Sequence, residues 1–211
     1  MFAVRAATAA ALMFGLAAEA RAGDLYNNLG VATASFEGVA AHGPLYNSFT
    51  TGSSGIVDGV ALLLDLLGAP NQFGIVDVAI YSNAGNTPDG FLTDLGVVDD
   101  TRLSGTPSVV GFTHLHEVLT PNTRYWIGLT DETFPLFGST SIDWARAVDS
   151  SGIGVAGEFN ADSTSVLPNG DGTNGSGEPF QMRVDIPEPA SLSLFGLGLV
   201  GLAALRRRRL R

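Results

Sequence analysis

His114 and His116 stand two residues apart in a run where apolar and polar residues alternate. On a strand, residues i and i+2 share a face, so both imidazoles would point one way. Such a pair could ligate Zn²⁺, but that ion needs at least three protein ligands. Glu117 would face the other side and His42 is distant in sequence. A solvated strand face is the plainer account. The run Asn169-Gly170-Asp171-Gly172-Thr173-Asn174-Gly175 alternates oxygen side chains with glycine, as a Ca²⁺ loop does. It misses the EF-hand spacing, so a polar loop explains it and no cofactor is expected, with Ca²⁺ the one ion left open. Gly52-Ser53-Ser54-Gly55 is not the G-x-S-x-G nucleophile turn. With nineteen acids between residues 23 and 186, some pair will reach glycosidase spacing by chance, so that criterion decides nothing. No thiol chemistry is possible without Cys. Trp126, Trp144 and Tyr81 remain, as aromatics able to stack on a pyranose ring if exposed. The expected protein is therefore not an enzyme.

Charge narrows the partners. There is no Lys, and five of the eleven basic residues are Arg206, Arg207, Arg208, Arg209 and Arg211. Between residues 23 and 186, four arginines face nineteen acids, a formal charge of −15. That surface repels phosphates, so nucleic acid is excluded as a partner.

Those residues must be carried by strands. From residue 30 onward, short alternating runs are separated by Gly, Pro, Asn, Asp and Ser, the pattern of a sandwich or barrel. The runs are Val31–Glu37, Leu45–Thr50, Ile56–Leu66, Ile75–Tyr81, Phe91–Val97, Val109–Leu119, Arg124–Leu129, Ser139–Arg146, Gly154–Asn160 and Phe180–Ile186. Alternation puts Val76, Val78, Ile80, Tyr125, Ile127, Leu129, Phe180, Met182 and Val184 inside. Asp77, Arg124, Gln181 and Arg183 go outside, and Trp126 faces away from its apolar neighbours. Ala61–Leu67 is rich in Leu, a helix former; its flanking valines favour a buried strand. Asn86-Thr87-Pro88-Asp89-Gly90 and Leu119-Thr120-Pro121-Asn122 read as turns. The predicted fold is all-β: a single antiparallel, jelly-roll-like sandwich between an N-terminal signal helix and a short C-terminal transmembrane helix.

Both ends read as addresses. Residues 1–22 place Arg5 before an apolar stretch and close on Ala20-Arg21-Ala22, an A-x-A cleavage site of a signal peptide, with Ala18-Glu19-Ala20 as its rival. Pro187-Glu188-Pro189 ends the domain of residues 23–186, since neither proline can donate to a ladder. Ala190 to Leu205 is uncharged and stops at Arg206 to Arg209. Sixteen residues make a helix of about 24 Å, which requires a thinned bilayer or snorkelling arginines. The arginines stay cytoplasmic by the positive-inside rule.

A Pro-Glu-Pro motif, an apolar run and an Arg cluster, in that order, resemble the PEP-CTERM sorting signal over residues 187–211. Ile186 stands where that family often has Val. The resemblance implies export, recognition by a membrane-embedded exosortase with a Cys nucleophile, and cleavage near the motif. It also implies display on a Gram-negative cell surface or in its extracellular matrix, with exopolysaccharide nearby. The middle is similar to the choice-of-anchor R domain through Leu25-Tyr26-Asn27-Asn28, Ser48-Phe49-Thr50-Thr51, Val76 to Ser82 and Leu119 to Trp126. That family brings no catalytic residues. The expected protein is a non-enzymatic surface or matrix protein. A carbohydrate-binding module using Trp126 or Trp144 on exopolysaccharide is one rival, and a secreted hydrolase is another.

Overall fold

The computed structural model describes residues 23–67, 74–132, 142–162, 166–168 and 178–187. Twelve strands are seen among them: β1 (Asp24–Asn27), β2 (Thr33–Gly38), β3 (Leu45–Thr50), β4 (Ile56–Leu66), β5 (Ile75–Ala84), β6 (Thr87–Asp99), β7 (Ser108–Val118), β8 (Arg124–Asp131), β9 (Ile142–Ala147), β10 (Phe159–Ala161), β11 (Val166–Pro168) and β12 (Met182–Asp185). A single helical turn, α1 (Val39–His42), follows β2. All pairings are antiparallel. One sheet runs β1-β12-β4-β9-β2, with β7 on the other edge of β4; the second runs β11-β10-β3-β8-β5-β6.

The Leu-rich β4 organises the first sheet. One edge pairs with β7 along its length, while the other serves β12 at Gly59–Leu62 and then β9 at Leu64–Leu66. Burial on both faces over Gly59–Leu62 suits the apolar run from Val60 to Leu64. The inner faces of both sheets close on one core of Val60, Leu62 and Leu64 against Val76, Val78, Ile80, Ile127 and Leu129. Trp144 stacks on Phe180 inside it, with ring centroids 4.6 Å apart. Residues Asp24–Ile186 form one compact unit.

The nine residues expected inside are all buried. Gln181 is a correction: it is 1% exposed. Its amide donates to the Val31 carbonyl at 2.7 Å and accepts from the Thr33 hydroxyl at 2.6 Å, so the N-terminal segment covers it. Asp77, Arg124 and Arg183 are half-buried rather than free. The turn expected at Asn86–Gly90 lies earlier. Ala84 pairs with Thr87, and Gly85 and Asn86 have φ of 60° and 70°, a two-residue type I′ connection. Thr87–Gly90 therefore belongs to β6. Strands β1 and β11 were not expected, and β10 begins five residues later than its predicted start. The expected signal helix and the apolar run of residues 190–205 lie outside the described residues, among which no helix is long and apolar enough to cross a membrane.

Candidate functional site

The histidine pair sits on an irregular strand. Between Val57 and Gly59 on β4, the facing strand advances from Glu117 to Thr113, so the residues between form a bulge opposite Asp58. His114 and His116 have φ of 61° and 52° there, which breaks the alternation that would align them. His116 Nδ1 lies 2.7 Å from Asp58 Oδ1, close enough for an ion pair but without hydrogen-bond geometry. Among the described residues no three His, Asp or Glu side chains converge to hold a metal. The polar loop at residues 169–175 lies outside the described residues.

Both tryptophans are sealed, and the stacking expectation is corrected on that ground. Trp144 belongs to the core, its Nε1 donating to the Gln181 carbonyl at 2.9 Å. Trp126 occupies the outer face of the second sheet, as alternation requires, but its exposure is nil and its Nε1 donates to Asn83 Oδ1 at 2.9 Å. Aromatics that do reach solvent on that face are others. Tyr46 and Tyr81 meet edge to face at 5.2 Å, and Tyr81 meets Phe91 at 6.0 Å. Phe91 is 58% exposed. Gly128 makes the row possible, because a Cβ there would come within 2.6 Å of Tyr46 and 2.5 Å of Tyr81. A bare glycine facing aromatic residues across the ladder was a readable signal; its partners were not.

Beside that row, Glu158 is buried and multiply held. Ser48 Oγ donates to it at 2.5 Å, Arg124 Nε at 2.9 Å, and the Thr50 hydroxyl donates to its other oxygen. The Arg124 guanidinium also lies over the Phe159 ring at 4.6 Å. Every polar group is spent on the fold, so this cluster fastens β10 to β3 and β8.

A cleft of about 580 Å³ lies at the β2 edge, lined by Phe36, Glu37, Gly38, Ala40, Ala41, His42, Leu67, Asp143 and Arg146, with Ser35. Arg146 is engaged there with Glu37, and its Nε lies 3.8 Å from Glu178. Asp143, 6% exposed, faces Asp65 directly across the β4–β9 ladder. Burial, then the Asp65 charge, raises its pKa above the ordinary carboxylate value. Sequence reasoning passed over this pair. The signal was one acid set in each of two otherwise apolar runs, Leu62-Leu63-Leu64-Asp65-Leu66 and Ile142-Asp143-Trp144-Ala145.

At the other end of the chain, Pro187 is half-buried and outside any strand. Glu188, Pro189 and Arg206, Arg207, Arg208 and Arg209 lie outside the described residues. β12 ends at Asp185, so the sandwich gives way here to a terminal segment that reads as a sorting signal. The comparison with protein families agrees: residues 185–209 match the PEP-CTERM protein-sorting motif, which implies an exported protein processed by an exosortase at the membrane. None of the curated proteins searched matches the chain.

Proposed function

We propose that the chain is a non-enzymatic protein of the cell surface or extracellular matrix, whose acidic sandwich is displayed after an exosortase removes the tail. The observation that carries this reading is the sorting motif at residues 185–209, which starts on the final residue of β12. Pro187 and Pro189 deny donors to any ladder and keep Glu188 extended, as a protease cleft needs. The uncharged run behind them serves as a short membrane helix, and Arg206 to Arg209 hold its far end in the cytoplasm. Exopolysaccharide is the natural surrounding of such a domain. The likeness of the middle to the choice-of-anchor R domain supports display without chemistry.

The test is the mass of the protein recovered from a host that makes the exosortase. Wild type should lack residues 190–211, and Glu188→Ala should keep them. Recovery of the intact tail in wild type would make it an anchor only.

A second reading is favoured by the Tyr46–Tyr81–Phe91 row: a module that stacks on neutral polysaccharide, with these rings in place of the two sealed tryptophans. Phe91→Ala should then lower retention on immobilised exopolysaccharide, while leaving the unfolding midpoint little changed because Phe91 is exposed.

A further inference from the structure

We propose that Asp65 and Asp143 form a binding site for a hard divalent cation, Ca²⁺, at the wall of the β2 cleft. The two residues are directly opposed on the β4–β9 ladder. Opposed side chains share a face with Cβ atoms about 4.5–5.5 Å apart, and like charges placed so are destabilising. Asp143 is 6% exposed, so its charge has little water to screen it. Asp65 accepts the Leu66 N–H at 2.8 Å. Among the described residues, no donor or cation reaches the Asp143 carboxylate.

That carboxylate belongs to the cleft wall, and across the ladder stands Gly38, where a Cβ would lie 3.1 Å from Asp143 Oδ1. No side chain at position 38 therefore comes between the carboxylate and the cleft that both residues line. Arg146, the cation lining the same cleft, is engaged with Glu37. The other opposed pair, Asp24 and Asp185, differs, because Arg183 Nε lies 3.0 Å from Asp185. Asp65–Asp143 is thus a doubly acidic position that lacks a built-in counter-charge.

Chemistry selects the ion. Two carboxylates are too few for Zn²⁺, which takes four N, S or O ligands in a closed site. Ca²⁺ takes six to eight oxygens at 2.3–2.6 Å and accepts water for the remainder, with Kd of about 10⁻⁴–10⁻³ M in extracellular modules. The raised pKa of Asp143 adds a proton that the ion must displace, so binding should weaken in acid. His42 and Glu37 also line this cleft and are the other ionisable groups, with Arg146, that face the site from it.

The experiment is calorimetric titration of the full chain with CaCl₂, paired with its thermal unfolding in CaCl₂ and in EDTA. Wild type should bind Ca²⁺ and unfold at a higher temperature with it. Asp143→Asn and Asp65→Asn should each bind at least about tenfold more weakly, since charge count sets affinity at such sites. In EDTA, Asp143→Asn should unfold no lower than wild type, because the amide removes the repulsion. Asp77→Asn, on the other sheet, should keep the wild-type response. Absence of a Ca²⁺ response in wild type, or an unchanged response in both pair variants, would overturn the site. If Asp143→Asn does not fold, Asp65→Asn, at a half-buried position, decides alone.

Discussion

Glu158 shows how a strongly acidic chain can place one charge inside. Its two oxygens take Ser48, Thr50 and Arg124, so the desolvation cost is offset by charge-assisted bonds. Breaking such a pair leaves the partner charge stranded, so Glu158→Ala should cost about 3–5 kcal/mol in urea unfolding. A loss near zero would show that water replaces the carboxylate. Ile127, fully buried between the sheets, should cost about 2–5 kcal/mol as Ala, by cavity formation. Period-two alternation found Ile127 and its companions because a half-buried strand has no other way to hide apolar side chains. It failed at Gln181, where the period is right but a polar residue is covered. No local pattern announces that Asn28, Val31 and Thr33, some 150 positions away, will supply its partners.

Strands were legible where both ends carried a sharp break. Leu45–Thr50 and Ile56–Leu66 were read to the residue, the first closed by Thr51-Gly52 and the second by Gly68-Ala69-Pro70. The β5–β6 hairpin was read with its turn misplaced, because Pro88 and Asp89 suit a turn as well as Gly85-Asn86 does. The pleat decides: a type I′ turn matches strand twist and needs positive φ at both positions. Gly85→Val should therefore lower stability by roughly 1–2 kcal/mol through left-handed strain alone, since nothing crowds a Cβ there. Equal denaturation midpoints would show that the hairpin shifts its register. Gly128→Ala tests crowding without positive φ, and should cost about 1–3 kcal/mol as Tyr46 and Tyr81 move apart. The β7 bulge was invisible beforehand, since His114 and His116 satisfy alternation on paper.

Among the described residues, three acids answer to pH in the same sense. Burial comes first in raising Asp77, Asp143 and Asp185, with Asp94, Asp65 and Asp24 respectively adding to it. A carboxyl whose folded pKa exceeds its unfolded value binds more protons when folded. Its contribution is full below the ordinary value of 3.8 and fades as pH climbs through the raised folded value. Asp99 and Asp149 are lowered, by their bonds to Thr101 and Ser151, and act oppositely; Asp149 is exposed and weighs little. The urea midpoint should accordingly fall as pH rises above that range, and Asp143→Asn should flatten the fall. An unchanged slope would place the titration elsewhere. The sorting signal was readable because a translocation address is written in linear order. The Asp65–Asp143 site was hidden because it exists only once two strands 78 positions apart are registered. Register also governs the last strand. β12 lies between β1 and β4, and β1 has β12 as its ladder neighbour. The first strand to leave the secretion channel must therefore wait for the last. A pull on the tail, in turn, runs along a strand clamped on both sides. Its bonds must shear together rather than unzip one by one, so the strand beside the sorting signal is also well placed to bear load.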